Sequence, residues 1–306
     1  MTDSITVRKL RATITLATIE GQAQTFSSSG GSDTVVIENL RMSAEILHAG
    51  GPSDGTMELT VYGLSLSTMN RLSTLGMQVN LVPKNLIVLE AGQDDGSGGF
   101  TNGGTVFTGY ILAAYGDFNA SPDVSFHLSA HTLAPQAVTT TKPTSYQGST
   151  DVATIMSSFA TQMGLKFENS GVQGQLSNPY FSGSVKNQAQ DCAEAAGISW
   201  NHGEGGVLAI WPRNGARNGQ VPLIAPPPNG NMKGYPTYTA YGISVETLYD
   251  PSIPFGGKVQ VQSSLQPANG TWAVYGLAHS LSCEMPDGPW FSTVLCYNPK
   301  YPVPVQ

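Results

Sequence analysis

Two histidines stand four residues apart in VSFHLSAH, residues 124–131, the spacing at which zinc enzymes hold a metal on one face of a helix. The neighbours of His127 and His131 point to a different backbone. Val124, Phe126, Leu128 and Ala130 alternate with Ser125, His127, Ser129 and His131, which is the period of a half-buried strand and not the 3.6-residue period of a helix. On a strand rising ~3.3 Å per residue the two Cα atoms lie about 13 Å apart, too far for one metal. Leu128 also fills the place where a zinc peptidase carries its general-base glutamate. The pair is read as two strand histidines on a polar face.

Other candidates for chemistry fail in similar ways. GxxxxGKS/T and HExxH are absent, which removes the commonest nucleotide and zinc-peptidase signatures. DDGSGG, residues 94–99, lacks the alternating acids and closing glutamate of a calcium loop and is read as a hairpin tip. His279 lies in the alternating run WAVYGLAHSL and is expected to be a hydrogen-bonded core histidine. Glycoside hydrolysis needs two facing carboxylates, and spacing pairs none of Glu204, Glu246 and Asp250. Cys192, Cys283 and Cys296 form no CxxC motif and no disulfide framework, so buried free thiols are expected, as in a reducing cytoplasm. The sequons at Asn119 and Asn269 carry no information without a secretory signal. No catalytic residue, metal or cofactor is assigned, and the chain is read as a non-enzyme.

The elements behind these residues are mostly strands. Charged residues make up 11% of the 306, against 35 glycines and 20 prolines, and such a composition favours short strands and turns over helices. Strand-like runs at 5–19, 35–46, 58–62, 77–82, 86–89, 106–115 and 124–130 fill residues 1–147. One short helix interrupts them, with Ser65 or Ser67 as N-cap and Gly76 as stop. Residues 148–219 read as a small α+β module. Thr150 caps a helix striped by Val152, Ile155, Met156, Phe159 and Met163 and ended by Gly164. Ser184 caps a second, with Val185, Ala189, Cys192, Ala193 and Ala196 on one face and Gly197 at its end. Residues 220–306 return to alternating strands. The expected fold is mainly β, two tube-like β-barrel domains flanking an inserted α+β domain.

The formal net charge is −7, with 12 acids and 7 bases before residue 148. The 14 Lys and Arg are scattered, which excludes a phosphate-neutralising nucleic-acid surface. MTDSITVRKLRATITL has no apolar signal core, and no run of 18 apolar residues occurs, so neither secretion nor membrane insertion is expected.

Three stretches together resemble the baseplate hub proteins of contractile-tailed bacteriophages, the late control protein D group of Mu-like and P2-like phages, related to the hub part of VgrG spikes. They are VFTGYI with PDVSFHLSAHT; the helix over 151–164 with VKNQAQDCAEAAGISW and GGVLAIWPRNG; and PLIAPPPNGNMKGYPTYTAYGISVETLYDPSIPFGGKVQV with NGTWAVYGLAHSLSCEMPDGPWFSTV. The resemblance implies a homotrimer whose six barrels ring the tail axis. Such a ring joins a hexameric tail tube protein to a trimeric central spike protein and forms part of the DNA conduit, with the tape measure protein and other baseplate proteins as further neighbours. It implies a place in the virion tail baseplate after assembly in the bacterial host cytoplasm. The chain reaches Gln306 without an appended lysozyme, peptidase or spike domain, so cell-wall degradation is not expected.

Two other readings remain open: a small cell-wall hydrolase, and a peripheral receptor- or carbohydrate-binding tail protein. The second would use Tyr235, Tyr238 and Tyr241, for which strand and turn packing is the preferred explanation. In YNPKYPVPVQ, Pro299, Pro302 and Pro304 forbid a helix. Tyr301, Val303 and Val305 are then expected on an extended arm that docks on a neighbouring subunit or on the spike.

Overall fold

The computed structural model describes residues 7–17, 24–26, 31–73, 85–202 and 204–298. Its first strands are β1 (Arg8–Thr15), β2 (Thr34–Glu38), β3 (Met42–His48), β4 (Thr56–Tyr62), β5 (Leu86–Asp94), β6 (Phe100–Asp117) and β7 (Ser125–His131), with α1 (Leu66–Leu72) after β4. A helical region follows: α2 (Ala134–Val138), β8 (Thr144–Ser145), β9 (Ser149–Asp151), α3 (Val152–Met163), β10 (Lys166–Asn169), β11 (Gln175–Ser177), β12 (Tyr180–Phe181), α4 (Val185–Ala196), β13 (Ile198–His202) and β14 (Val207–Pro212). The last strands are β15 (Leu223–Ile224), β16 (Met232–Tyr238), β17 (Gly242–Leu248), β18 (Lys258–Val261), β19 (Gly270–Cys283) and β20 (Trp290–Tyr297). The chain is mainly β with few helices, as its composition predicts.

Period-two burial builds the strands. β1 buries Leu10, Ala12 and Ile14, β3 buries Met42, Ala44 and Ile46, and β4 buries Met57, Leu59 and Val61. β7 buries Phe126, Leu128 and Ala130 and leaves His127 and His131 half-exposed, as the alternation predicts. The expected run 35–46 is in fact two strands. Asn39, at φ 58°, turns the chain between β2 and β3, a conformation Asn tolerates better than most residues. The expected strand at 77–82 and the stop at Gly76 lie outside the described residues, and α1 ends at Ser73.

The turn at Asn39 bends the whole sheet. The path β3-β4-β7-β6-β5-β1-β2 places β2 and β3 at opposite ends of seven strands. Laid flat, such a path spans about 29 Å at ~4.8 Å per step. Glu38 and Met42 are joined by only a few residues, at most about 14 Å of chain. The path must therefore coil until its ends approach. One continuous core fills the coil, from Leu10 and Ile37 to Met42, Leu59, Ile87 and Phe126. The last strands repeat the device along β15-β18-β19-β20-β17-β16, where the Met232 amide donates to the Ala225 carbonyl at 2.9 Å and draws the two ends together. No strand ladder closes either coil among the described residues.

β19 joins the two coils. Residues 270–273 pair with β18, residues 277–283 pair with β3, and its other edge pairs with β20. A bulge between Val274 and Gly276 adds one residue and switches the inward parity. Trp272 and Val274 face the core of the last strands before it, and Leu281 and Cys283 face the core of the first strands after it.

The helical region has its own core. β10 and β14 pair in parallel, β13 pairs antiparallel to β14, and α3 and α4 supply Ile155, Met156, Phe159, Ala189 and Cys192. The N-cap of α3 is Asp151, one residue beyond the expected Thr150. Its carboxylate accepts from the Thr154 amide at 3.0 Å, a stronger bond than a hydroxyl would form. Ser184, Gly164 and Gly197 cap as predicted.

Because Leu281 sits on the strand common to both coils, Leu281→Ala should cost about 2–5 kcal/mol. Amide hydrogen exchange should quicken in β3 and β20 together; loss of protection in one coil alone would contradict a single mechanical unit.

Candidate functional site

The residues singled out for chemistry do not converge. Both ring nitrogens of His127 meet hydroxyls, with Thr60 Oγ1 3.2 Å from Nδ1 and Ser125 Oγ 3.0 Å from Nε2, and the ring stacks on Tyr115. Asp95 accepts from the amides of Ser97 and Gly99, making residues 94–99 the hairpin tip the sequence suggests. Glu246 takes Lys233 at 3.1 Å, and Asp250 takes Asn231 and Ser252, so neither acid faces the other's partner. Glu204 opens a short 3-10 turn after β13. The three thiols are free and buried, and burial pushes Cys192 and Cys296 up to about 12, far from reactive thiolate. Among the described residues no three His, Cys, Asp or Glu side chains could hold a metal.

The tyrosines differ from expectation. Tyr235, Tyr238 and Tyr241 are 64%, 63% and 53% exposed, on or just beyond β16 at one end of the sheet. Strand packing does not account for them; among the described residues only Tyr241 of the three meets a ring, Tyr275, at 6.2 Å. Tyr301, Val303 and Val305 lie outside the described residues.

Polar groups instead gather where the helical region meets the two coils. Lys186, at the first turn of α4, donates to Asp54 in the β3–β4 loop at 2.8 Å, with both side chains largely buried. His202, at the end of β13, is wholly enclosed and has Asp54 Oδ1 at 3.7 Å, Thr132 Oγ1 at 3.4 Å and the Trp200 ring at 5.1 Å. Thr132 in turn accepts from the Gly55 amide. Burial lowers His202 to about 4, Lys186 reinforces the shift, and Asp54 opposes it.

A second strap crosses to the last strands. Arg217 donates to both oxygens of Glu168 on β10, at 3.1 and 2.8 Å, and to the Phe255 carbonyl at 3.2 Å. That guanidinium holds the Glu168 carboxyl below its ordinary range. Behind both straps, His279 is buried against His48 and Tyr249 at 5.1 and 5.3 Å and bonds Ser292 at 2.8 Å, so it is a core histidine as its strand context predicts. Burial, reinforced by His48, holds it well below its ordinary value.

Between the straps lies a cleft of about 440 Å³. One side is Trp200, Trp211 and Ser199 of the helical region with Gln190 and Glu194 of α4; the other is Phe255, Tyr275 and Tyr297 of the last strands, with Gly50 and Pro52 from the first. Gly50 is required there, since a Cβ would stand 2.8 Å from the Phe255 ring. Sequence reasoning missed this junction. One signal was available: Lys186 shares the helical face of Ala189 and Ala193, and a lysine on an apolar stripe calls for an acid.

His202 is neutral when folded and ionises more readily when unfolded. Its contribution is therefore complete above about pH 6.5 and is lost as pH falls toward 4, roughly 3 kcal/mol in all. Denaturant melts across this range should show the decline, and His202→Gln should flatten it. Lys186→Ala should cost about 3–5 kcal/mol by stranding Asp54, and Lys186→Met with Asp54→Leu should recover most of that loss.

The folded chain resembles known tail proteins. It matches a tail protein from Neisseria meningitidis MC58 with a TM-score of 0.60 and 10% identity, covering 94% of this chain and 97% of that one. The 43 kDa tail protein of prophage MuSo2 from Shewanella oneidensis gives 0.57 and 9%, covering 96% and 97%. The E. coli c3393 protein, a type VI secretion system component with structural similarity to the T4 bacteriophage tail proteins gp27 and gp5, gives 0.56 and 10%, covering 87% and 76%. These likenesses show the fold. No curated protein matches the sequence. The model of the baseplate hub gp41 family matches residues 22–296, and the chain belongs to that family.

Proposed function

We propose that this structural baseplate protein is a trimeric symmetry adaptor, joining a hexameric tail tube to a trimeric central spike and lining part of the DNA conduit. The observation that carries the reading is the β3–β19 ladder, which couples two coiled β segments into one unit. Three copies of a chain with two similar coils make a ring with six near-equivalent positions, able to meet sixfold and threefold neighbours alike. The reading divides the chain into tube-like β-barrel domains over 1–147 and 220–306 and an inserted α+β domain over 148–219. Three hydrophobic clusters support the division, and the short connections that draw each coil's ends together support the barrels.

No bond is made or broken in this role. The partners are two further copies of the chain, the tube protein, the spike protein, the tape measure protein and other baseplate components, met in the virion tail after assembly in the host cytoplasm. β16, outermost in the sheet among the described residues, offers its edge and two exposed tyrosines to such neighbours. The acidic balance suits a conduit, because each phosphate neutralised by a lining cation would hold DNA in place.

Native mass measurement of the chain, alone and with tube protein, should give a trimer that binds the tube. A map of the assembled tip should show three copies about the axis with a neutral or acidic lumen. Six independent copies, or a lumen lined chiefly by Lys and Arg, would refute the reading.

A further inference from the structure

The two coils repeat one strand arrangement, and the repeat can be followed to single residues. β3 to β7 lie along the path β3-β4-β7-β6-β5, and β16 to β20, taken in the same chain order, lie along β16-β17-β20-β19-β18. β6 and β19 each carry one extra residue against the next strand, Leu112 between Ile111 and Ala113 and Tyr275 between Val274 and Gly276. Superposing these bulges puts Asp117 in the place of Ser280. The ladders then carry the match across each coil. Ala113 faces Ser129, Ser129 faces Glu58 and Glu58 faces Glu45, while Gly276 faces Leu295, Leu295 faces Ser244 and Ser244 faces Thr237. Thr237 therefore stands in the place of Glu45.

Ser280 and Glu45 are themselves partners. They face each other where β19, beyond its bulge, pairs antiparallel with the outer edge of β3, and the Ser280 hydroxyl donates to the Glu45 carboxylate. Among the described residues no strand occupies either matching edge: β5 parts from β6 at Tyr110, and β16 ends the sheet. Exposed rings collect at these same two edges. Tyr115 and Phe118, at the end of β6, are 57% and 54% exposed, and Tyr235 and Tyr238 stand exposed on β16. Rings of this size left in water beside a sheet edge are the composition of an interface.

We propose that β16 of one copy pairs antiparallel with residues 115–117 of a second copy, Thr237 opposite Asp117, repeating between chains the β3–β19 ladder found within each. The inference rests on the trimeric reading and names its contact. Tyr235 and Tyr238 of one copy then pack beside Tyr115 and Phe118 of the next, and the Thr237 hydroxyl is placed to donate to the Asp117 carboxylate. The contact joins two different edges, and a heterologous contact generates a ring when its rotation closes. The ladder within the chain supplies every other step of that rotation. Each copy brings eight strands, from β16 through β19 and β3 to β6, and three copies close the path without a free end. The ladder between chains is short, because the irregularity at Gly234 and Pro236 interrupts β16 on one side and β6 ends at Asp117 on the other. The same irregularity guards the edge against longer, unspecific pairing.

The native thiols are buried, so oxidation reports on an introduced pair. The full chain carrying both Asp117→Cys and Thr237→Cys should oxidise to a covalent trimer on a denaturing gel without reductant, while each single variant runs as one chain. Tyr235→Ser with Tyr238→Ser, two exposed positions, should weaken trimer association at least about tenfold in a native-mass dilution series, with the far-UV circular dichroism unchanged. A trimer by native mass that forms no disulfide between residues 117 and 237, forms it only within one chain, or tolerates loss of both tyrosines would overturn this pairing and leave the trimeric reading standing. A chain that stays monomeric at every concentration, or closes as a dimer, would overturn both.

Discussion

A strand buried in the middle of a sheet must find partners for its backbone groups on both edges, and β19 meets that demand by belonging to two coils. It takes β20 on one side and β18 followed by β3 on the other. Unpaired amides at depth would cost more than any side-chain adjustment could return. The neighbours of β19 are therefore set along its length, and so is the relation between the two coils. The bulge at Val274–Gly276 is the local accommodation, letting one strand serve two cores with opposite parities. Gly276 fits there because a Cβ would stand 2.9 Å from the Leu295 side chain.

The helical region is held by a different force. Among the described residues it shares no strand ladder with the large sheet and meets it through packing, through the buried ion pair Lys186–Asp54, and through Arg217, which Glu168 holds against the Phe255 carbonyl. A buried pair such as Lys186–Asp54 adds little net stability over apolar contacts of the same shape, yet losing one partner is heavily penalised. It therefore separates the native seat of α4 from slipped alternatives. His202, neutral and enclosed beside that pair, makes the same seat sensitive to acid. A structural baseplate protein needs such defined joints, and the cleft beside them is the space they leave uncovered.

Much of the fold was legible because the signals are short-ranged. Alternation in VSFHLSAH identified β7 in place of a helix, the caps Ser184 and Gly197 delimited α4 to the residue, and Gly164 fixed the end of α3. The hairpin tip at 94–99, the buried thiols and the core position of His279 followed from the same local reasoning. Misreadings came where a local pattern was continuous but the path was not. Residues 35–46 look like one strand, and only the left-handed Asn39 divides them. Tyr235 and Tyr238 read as strand packing because sequence does not reveal that β16 ends the sheet among the described residues.

By itself the sequence determined the mainly β character, the strand faces, the ends of α4 and the shortage of charge, all of which depend on composition or on residues within one or two turns of each other. Tertiary structure alone decided that β3 would pair with β19, that Lys186 would meet Asp54 across 132 residues, that His202 would be enclosed, and that five aromatic rings from distant segments would line one cleft. The reason is physical. Periodicity and capping act through neighbours along the chain, whereas pairing partners and desolvation arise only when the coils close and water is expelled between them.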